Sequence, residues 1–264
     1  MKIISSILLF TLIYLTGFCQ IYENNKSIPI KETIHPFKLG NKKVHVILTT
    51  YGNNKDVVMI NLHDNERTSV EAAKIVLLET GGTLIRIEND NKRLIDFIFK
   101  KSKFQFDPNR IFTKAGTTAT LNKYSVSTPA SVSLVSKFGE FIYKLIPAST
   151  LLIALHNNTD STYSSLSYLP GAEYGIEASA VHINKQMDID DFFFTTSDSL
   201  FTKLKLENNN VILQNNSAAT DDGSLSVLYG IWNKKYVNVE AEKGHVNEQE
   251  KMIRLLLHAI LLLK

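Results

Sequence analysis

Short apolar runs alternate with amphipathic stretches along the first half of the chain. Three segments are apolar or alternate with polar positions, as buried or half-buried strands do: 43–50, 57–62 and 83–88. Residues 68–80 begin at a threonine or serine cap, carry apolar residues on one side and stop at a pair of glycines, which predicts a helix. A strand, a helix and a strand in this spacing favour a right-handed crossover between parallel strands. The predicted fold class is therefore α/β.

The second half of the chain continues the same pattern. Thr128 and Pro129 predict the start of a helix that runs to about residue 146, because proline suits the first helical position. Residues 150–155 form an all-apolar strand, and residues 157–187 form a long loop of the kind that often binds ligands. The remaining predicted elements are short helices over 93–101 and 197–207, strands over 211–214 and 236–242, and a C-terminal helix over 248–263.

The N-terminal residues differ in pattern from everything that follows. Residues 1–19 have a basic start and a nearly continuous apolar stretch, which is typical of a secretory signal peptide and too short for a membrane span. We predict an exported chain with a signal peptide at 1–19, a leader at 20–42 and one domain at 43–264, without a stable membrane span after cleavage. Lipid attachment at Cys19 is the rival interpretation, which bulky Phe18 disfavours.

Composition and charge exclude some classes of protein. The net charge of +3 over 264 residues is too small to indicate nucleic-acid binding, and no basic run is interleaved with aromatic residues. Cys19 is the single cysteine, so the chain after cleavage would contain neither a disulfide nor a thiol nucleophile. Its stability must come from packing of the core.

Candidate metal ligands follow two of the predicted apolar strands. His63 comes directly after the strand over 57–62, Glu66 lies three positions on, and His156 follows the strand over 150–155. In open α/β sheets, ligands bind beyond the carboxyl ends of the strands. Two imidazoles and one carboxylate are the ligand set of a catalytic zinc with one position left for water. The sequence therefore predicts one zinc ion at this edge of the sheet.

Two further kinds of charged residue would complete such a site. Glu240 and Glu242 lie on one face of the strand over 236–242, and either could take a proton from water and pass it to a leaving amine. Arg110 would bind a substrate carboxylate through paired hydrogen bonds or stabilise a developing oxyanion. The residues alone leave both alternatives open.

The order of these residues resembles that of the zinc carboxypeptidase superfamily, which includes the aspartoacylase and succinylglutamate desuccinylase branch. His63 and Glu66 match its HxxE motif, and Asn109 and Arg110 match an Asn-Arg pair in the sequence DPNR. His156 matches the single downstream histidine, and a glutamate ends a late strand as in that superfamily. The match departs at the proline of DPNR, where the superfamily usually has an aliphatic residue.

The resemblance implies a fold and further roles. It implies three α/β/α layers around a mixed, mainly parallel central sheet, and it makes Asn109 and Arg110 the pair that binds the substrate carboxylate. It also implies a second arginine near the metal, for which Arg93 or Arg86 is available. Asn157 follows the third ligand, where the superfamily often has a small or aromatic residue. Further candidate substrate contacts are Asn157 and Tyr168.

Three functions fit these residues. The first is an exported zinc hydrolase that cleaves an amide bond next to a free carboxylate in a peptide, such as a peptidoglycan stem peptide. The second is the same chemistry on an N-acyl amino acid, as in aspartoacylase. The third is a catalytically silent relative whose cleft binds a peptide or a glycan. The export segment favours the peptide.

Overall fold

The computed structural model describes residues 28–148, 151–159 and 163–263; the predicted signal peptide and Cys19 lie outside these ranges. The strands are Ile30–Leu39 (β1), Lys42–Tyr51 (β2), Val58–Asn61 (β3), Gly82–Glu88 (β4), Ile95–Phe99 (β5), Ser102–Phe106 (β6), Leu151–Asn158 (β7), Ala178–His182 (β8), Phe192–Thr195 (β9), Val211–Gln214 (β10) and Lys235–Glu242 (β11). The α-helices are Arg67–Thr80 (α1), Lys114–Tyr124 (α2), Pro129–Leu145 (α3), Asp198–Leu206 (α4), Leu225–Ile231 (α5) and Val246–Leu261 (α6). Across the described ranges, no helix is both long enough and apolar enough to cross a membrane.

Within the described residues, nine strands form one sheet in the order β1-β2-β4-β3-β7-β11-β9-β10-β8. The central strands β4, β3, β7 and β11 are mutually parallel, and the antiparallel pairs β1–β2, β2–β4, β9–β11 and β8–β10 lie towards the two edges. The α1 helix connects β3 to its parallel neighbour β4, as the sequence predicts. The α/β class and the mixed, mainly parallel central sheet are therefore confirmed.

Helices cover both faces of this sheet. Apolar side chains of α2, α3 and α5 pack against one face and those of α1, α4 and α6 against the other. Successive residues of β3 alternate between the two cores, with Ile60 in the first and Met59 in the second, and neither is accessible to solvent. Each such side chain contributes about 1.5–3 kcal/mol by leaving water. The predicted three-layer arrangement is confirmed.

The helix predicted over 93–101 is wrong. Residues Ile95–Phe99 and Ser102–Phe106 form an antiparallel hairpin, whose turn places Lys100 and Lys101 at positive φ. Ile95 and Phe97 are buried and the residues between and after them are more exposed, which is the two-residue period of a strand. A short segment with several apolar residues fits both periods, and packing against the first core selects the strand.

Several elements differ from the predicted ones or were not predicted. The β1 strand occupies ten residues of the segment interpreted as a leader and pairs along its whole length with β2. The loop predicted over 157–187 contributes its first two residues to β7 and contains β8. The α2 and α5 helices and the β9 strand had no predicted counterpart. Thr128 does cap α3, with a capping box that Ser131 completes.

Candidate metal centre

Three neighbouring parallel strands place the predicted site residues at one edge of the sheet. The sheet order places β3, β7 and β11 side by side, with Ile60 opposite Ala154 and Glu240 opposite His156. His63 follows β3 by two residues, and His156 and Glu240 lie near the carboxyl ends of their strands. The carboxyl ends of parallel strands share an edge, so side chains far apart in sequence meet there.

His63, Glu66 and His156 form one buried cluster. Nδ1 of His63 lies 2.8 Å from Oε1 of Glu66, and Nδ1 of His156 lies 2.9 Å from Oε2 of the same carboxylate. One ligand atom from each residue can be chosen so that all of them lie within 4.8 Å of one another. Ligands at about 2 Å from a tetrahedral zinc lie about 3.4 Å apart. The predicted ligand set is therefore assembled in the structure.

Asp107 fixes the orientation of His63. Its Oδ1 atom lies 2.7 Å from Nε2 of His63 and also accepts the backbone N–H of Asn109 at 2.8 Å. When Nε2 carries the proton donated to Asp107, Nδ1 presents its lone pair to the cluster. A carboxylate on the outer nitrogen is the usual support of a metal-binding histidine. The sequence places Asp107 in the DPNR segment but does not reveal this contact.

The orientation of His63 also tests whether a metal ion fits. Its Nδ1 atom is fully buried and makes no hydrogen bond of acceptable geometry among the described residues, although Glu66 lies 2.8 Å away. A ring nitrogen and a carboxylate oxygen at this distance are placed as two ligand atoms of one metal ion are. A cation between Nδ1 and the Glu66 carboxylate would satisfy both groups. The residues present fit a zinc ion.

Charges within the cluster shift its pKa values strongly. Burial alone would raise the pKa of Glu66, but the imidazoles of His63 and His156 hold it well below its ordinary range. Burial alone would lower the pKa of His63, whereas the carboxylates of Glu66 and Asp107 raise it to about 9. Burial lowers the pKa of His156. The carboxylates are thus ionised in the folded protein and provide the negative charge that a divalent cation requires.

Glu240, and not Glu242, stands beside this cluster. Glu240 is 4% exposed and accepts a hydrogen bond of 2.9 Å from the Asn238 amide. Burial raises its pKa to about 8, and the nearby charge of Glu66 adds to the effect. Glu242 lies one strand repeat further on, where its carboxylate is 3.5 Å from Nδ1 of His245. Burial and charge thus separate the two glutamates that the sequence left equivalent.

Arg93 lies at the cluster, and Arg110 lies beside it. Arg93 contacts Oε1 of Glu66 at 2.5 Å and lies 3.9 Å from Oδ2 of Asp107. Arg110 contacts Oδ2 of Asp222 at 3.1 Å, and the Asp222 and Asp107 carboxylates raise its pKa against the effect of burial. Arg86 contacts Glu32 instead, at 3.9 Å. The structure therefore makes Arg93 the second arginine near the cluster.

The remaining candidate residues have different surroundings. Asn109 precedes Arg110 in a short 3-10 helix, and its Oδ1 atom is buried without a hydrogen-bond partner among the described residues. Tyr168 is 7% exposed, and its hydroxyl lies 2.5 Å from that of Tyr163. Asn157 alternates with His156 along β7 and donates to the Ala241 carbonyl and the Gln249 side chain, so the structure does not bring it to the site.

Comparisons with known proteins find similarity only at the level of structure. No protein-family model matches the chain, and no curated protein matches it by sequence. An aspartoacylase family protein from Mesorhizobium loti is 14% identical with a TM-score of 0.47, and the match covers 89% of this chain and 68% of that chain. Murein-tripeptide amidase MpaA from Escherichia coli O157 is 10% identical with a TM-score of 0.40, covering 81% and 86%.

A succinylglutamate desuccinylase from Silicibacter is also similar, at 10% identity and a TM-score of 0.42, covering 87% of this chain and 66% of that chain. The three-layer α/β fold that the resemblance to the zinc carboxypeptidase superfamily implies is the one that the structure has. Both deacylases named in that resemblance occur among the similar structures. Because these identities and TM-scores are low, the chemistry must be argued from the side chains of this chain.

Proposed function

We propose that this chain is an exported zinc-dependent hydrolase that cleaves an amide bond next to a free carboxylate, with a peptide such as a peptidoglycan stem peptide as its substrate. The observation that carries the proposal is the position of Glu240. A buried carboxylate with a pKa near 8 stands beside a His-Glu-His cluster that fits zinc. A strongly raised pKa beside a cluster of metal-ligating side chains is characteristic of functional sites.

The ligand roles follow from the contacts of the cluster. His63 and His156 would hold the ion through their Nδ1 atoms and Glu66 through its carboxylate, while Asp107 keeps His63 in the required tautomer. A bound zinc ion supplies Lewis acidity, which polarises a carbonyl and lowers the pKa of water. Glu240 stands opposite His156 on the neighbouring strand, within reach of the groups that would hold the ion.

Glu240 would transfer the proton. Its carboxylate takes a proton from the attacking water while the oxygen forms a bond to the amide carbon. The same carboxyl group then gives the proton to the nitrogen as the carbon–nitrogen bond breaks, so an acid and an amine are released. A pKa of about 8 suits both directions of transfer near neutral pH.

The two arginines would bind different groups of the substrate. Arg93 lies next to Glu66 and is placed to stabilise negative charge that develops on the carbonyl oxygen. Arg110, with Asn109, would bind the free carboxylate of the substrate, since a guanidinium offers donors on more than one edge. Burial raises the pKa values of Tyr163 and Tyr168, whose ring centroids lie 6.0 Å apart, and the two rings would form an aromatic wall that excludes water.

The experiment combines metal analysis with hydrolysis assays on a muropeptide mixture and on N-acyl amino acids. We expect one zinc per chain, lost in His63→Ala, and release of an amino acid that Glu240→Gln abolishes and Glu242→Gln retains. Turnover of N-acyl amino acids alone would make the chain a deacylase instead. Bound zinc without turnover of any substrate would contradict the enzymatic proposal and support a binding protein.

A further inference from the structure

Two buried amide side chains lie on the face of the sheet opposite to the His156 imidazole. Asn157 alternates with His156 along β7, and Gln249 approaches the same face from the first turns of α6, which packs there. Asn157 is 8% exposed and Gln249 is inaccessible to solvent. Nδ2 of Asn157 donates to Oε1 of Gln249 at 2.8 Å. Asn157 and Gln249 thus form a pair that we call the amide bridge.

The amide bridge binds the carboxyl ends of β7 and β11. Nε2 of its glutamine donates to the His156 carbonyl at 2.9 Å and to the Val239 carbonyl at 3.2 Å. Nδ2 of its asparagine donates to the Ala241 carbonyl at 3.1 Å. Val239 and Ala241 flank Glu240 in the sequence. The bridge therefore holds the peptide groups on both sides of Glu240 and the one that follows the His156 side chain.

The amide bridge also contacts the helix that begins beside Glu66. Oδ1 of Asn157 accepts the backbone N–H of Ser69, in the first turn of α1, at 2.9 Å. The Ser69 hydroxyl donates to the Glu66 carbonyl at 2.8 Å and accepts from the Asn61 amide at 3.0 Å. Asn61 ends β3, two residues before His63. One chain of hydrogen bonds thus joins the segments that carry the three candidate ligands and the proposed proton carrier.

Gln249 occupies a position where packing alone favours an apolar residue. Met252, Ile253 and Leu256 follow it on the same face of α6 and are buried in the second core. An apolar side chain would continue this stripe without the cost of burying an amide. Both amides of the bridge have acceptors for all of their N–H groups, and a satisfied buried network favours one arrangement of the groups that it joins. Asn157 is in addition a residue at which this chain departs from the superfamily that it resembles.

We propose that Asn157 and Gln249 are positioning residues, which set the spacing between the metal ligands and Glu240 by fixing the main chain that carries them. The inference rests on the proposed function. The site lies at the last register pairs of β7 and β11, where the hydrogen bonds between the two strands end. The amide bridge restrains this end of the pair. A displacement of about 1 Å between reacting groups can reduce a rate about 100-fold, so the restraint matters for catalysis.

Gln249→Met tests the proposal, because methionine has a similar length but none of the amide donors. In full-length protein loaded with cobalt, we expect the visible absorption bands to change in position and intensity, since they depend on the arrangement of the ligands. Zinc affinity should fall about tenfold or more. With a substrate that wild type hydrolyses, kcat should fall about tenfold or more. KM should change little, because Asn109 and Arg110 belong to a separate segment between β6 and α2.

Gln214→Met is the matched control. Gln214 is also buried, at 3% exposed, and its amide also donates twice, to Oδ1 of Asn216 at 2.9 Å and to the Ser226 carbonyl at 3.1 Å. Both acceptors lie in the segment that follows β10 and leads into α5. We expect urea unfolding to show a similar loss of stability in the two variants, and Gln214→Met to keep the cobalt spectrum and kcat. Spectra that change equally in both variants, or in neither, would overturn the proposal.

The spectrum and the zinc affinity separate this inference from the proposed function, since neither needs turnover. A spectrum changed only in Gln249→Met supports the positioning role even if wild type hydrolyses no substrate. Hydrolysis with the same spectrum and kcat in wild type and Gln249→Met would support the enzyme and overturn the positioning role. Wild type that binds neither ion would overturn both.

A second variant covers the case in which Gln249→Met does not fold. Ser69→Ala removes the hydroxyl that joins the Glu66 carbonyl to the Asn61 amide, and it should change the cobalt spectrum and weaken zinc binding in the same direction. Ser131→Ala, which removes an equally buried hydroxyl from the start of α3, is its control and should change neither. An unchanged spectrum in Ser69→Ala would then overturn the proposal.

Discussion

His63 depends on Asp107 for its orientation. Its Nε2 atom lies 2.7 Å from Asp107, and this contact sets which nitrogen faces the cluster. We expect Asp107→Ala to weaken zinc binding by about 10- to 100-fold, because loss of an outer carboxylate frees the ring and lowers its basicity. Competition with a chromophoric chelator measures the affinity. The partly exposed Asp96, 3.8 Å from Lys92, provides the control Asp96→Ala, which should leave the affinity unchanged.

Glu240 illustrates a conflict between stability and chemistry. In the folded protein its pKa is raised from 4.5 to about 8, so the unfolded chain ionises first as the pH rises. Its contribution to stability is complete below pH 4.5 and is lost progressively up to about pH 8. Since each pKa unit is worth about 1.4 kcal/mol, we expect Glu240→Gln to increase the free energy of unfolding by several kcal/mol at pH 8.

The measurement is urea unfolding of chelator-treated protein at pH 5 and at pH 8. The stabilising effect of Glu240→Gln should be small at pH 5 and large at pH 8, and the partly exposed Glu242→Gln should show no such trend. A pH-independent difference between wild type and Glu240→Gln would show that the Glu240 carboxyl group is not desolvated. The same Glu240→Gln variant should lack hydrolytic activity.

At the residue scale, the sequence predicted the cluster but not its surroundings. His63 and His156 were found because each follows a predicted apolar strand, and strand ends meet at one edge, whereas Glu66 was found because it lies three positions after His63. Glu240 and Glu242 share a face by their two-residue spacing, so only burial could distinguish them. The β7 strand continues through Asn158, which turns Asn157 to the opposite face. A loop boundary misplaced by a few residues thus changed one candidate contact.

At the scale of elements, the loop between β10 and α5 should not tolerate substitution of Gly223. Gly223 has a φ of +80°, and an added β-carbon would lie 2.5 Å from the Arg110 carbonyl oxygen and 2.7 Å from Cα of Gly116. We expect Gly223→Ala to destabilise the fold by about 3 kcal/mol or more, because the left-handed backbone and the overlap with rigid backbone atoms both cost free energy. Urea unfolding measures the loss.

Gly171 provides the matched control for that change. Its φ of +85° is similar, but nothing lies within 4 Å of the position of an added β-carbon. We expect Gly171→Ala to lower the free energy of unfolding by about 1–2 kcal/mol, which is the cost of the left-handed backbone alone. Equal losses for the two variants would show that the loop moves freely and that Asp222 is not held against Arg110.

Helices and strands with a clear hydrophobic period were predicted well, and those without one were not. The α3 helix has a cap, a proline at its first position and an apolar stripe, and it was placed correctly to within a residue or two. The α2 helix contains several threonines and little amphipathic pattern, and only its contacts with α3 and β6 define it. The segment that forms β5 was assigned the wrong period because a short run with several apolar residues fits both periods. Tertiary packing decided each of these cases.

At the scale of the whole molecule, the sheet order could not be predicted from the residues alone. Sequence spacing indicates that β3 and β4 are parallel neighbours, but β7 lies beside β3 and β11 beside β7 through pairs separated by long stretches of chain. The resemblance implied a mixed, mainly parallel sheet but no strand order, which the structure provides. The order brings ligands from two segments together, so the site exists only when the whole sheet is formed.

Zinc binding should therefore stabilise the entire domain and not a local segment. An ion that binds only the folded state adds RT ln(1 + [L]/Kd), or about 4 kcal/mol at a thousandfold excess over Kd. For a domain of this size, that corresponds to an increase of roughly 8–16 °C in the midpoint of thermal unfolding. We expect this shift on adding zinc to chelator-treated wild type and none in His156→Ala. Magnesium should have no effect, since it prefers oxygen ligands. A midpoint that does not respond to zinc in wild type would contradict the metal centre, because the His-Glu-His cluster would then be held together by its own charges alone.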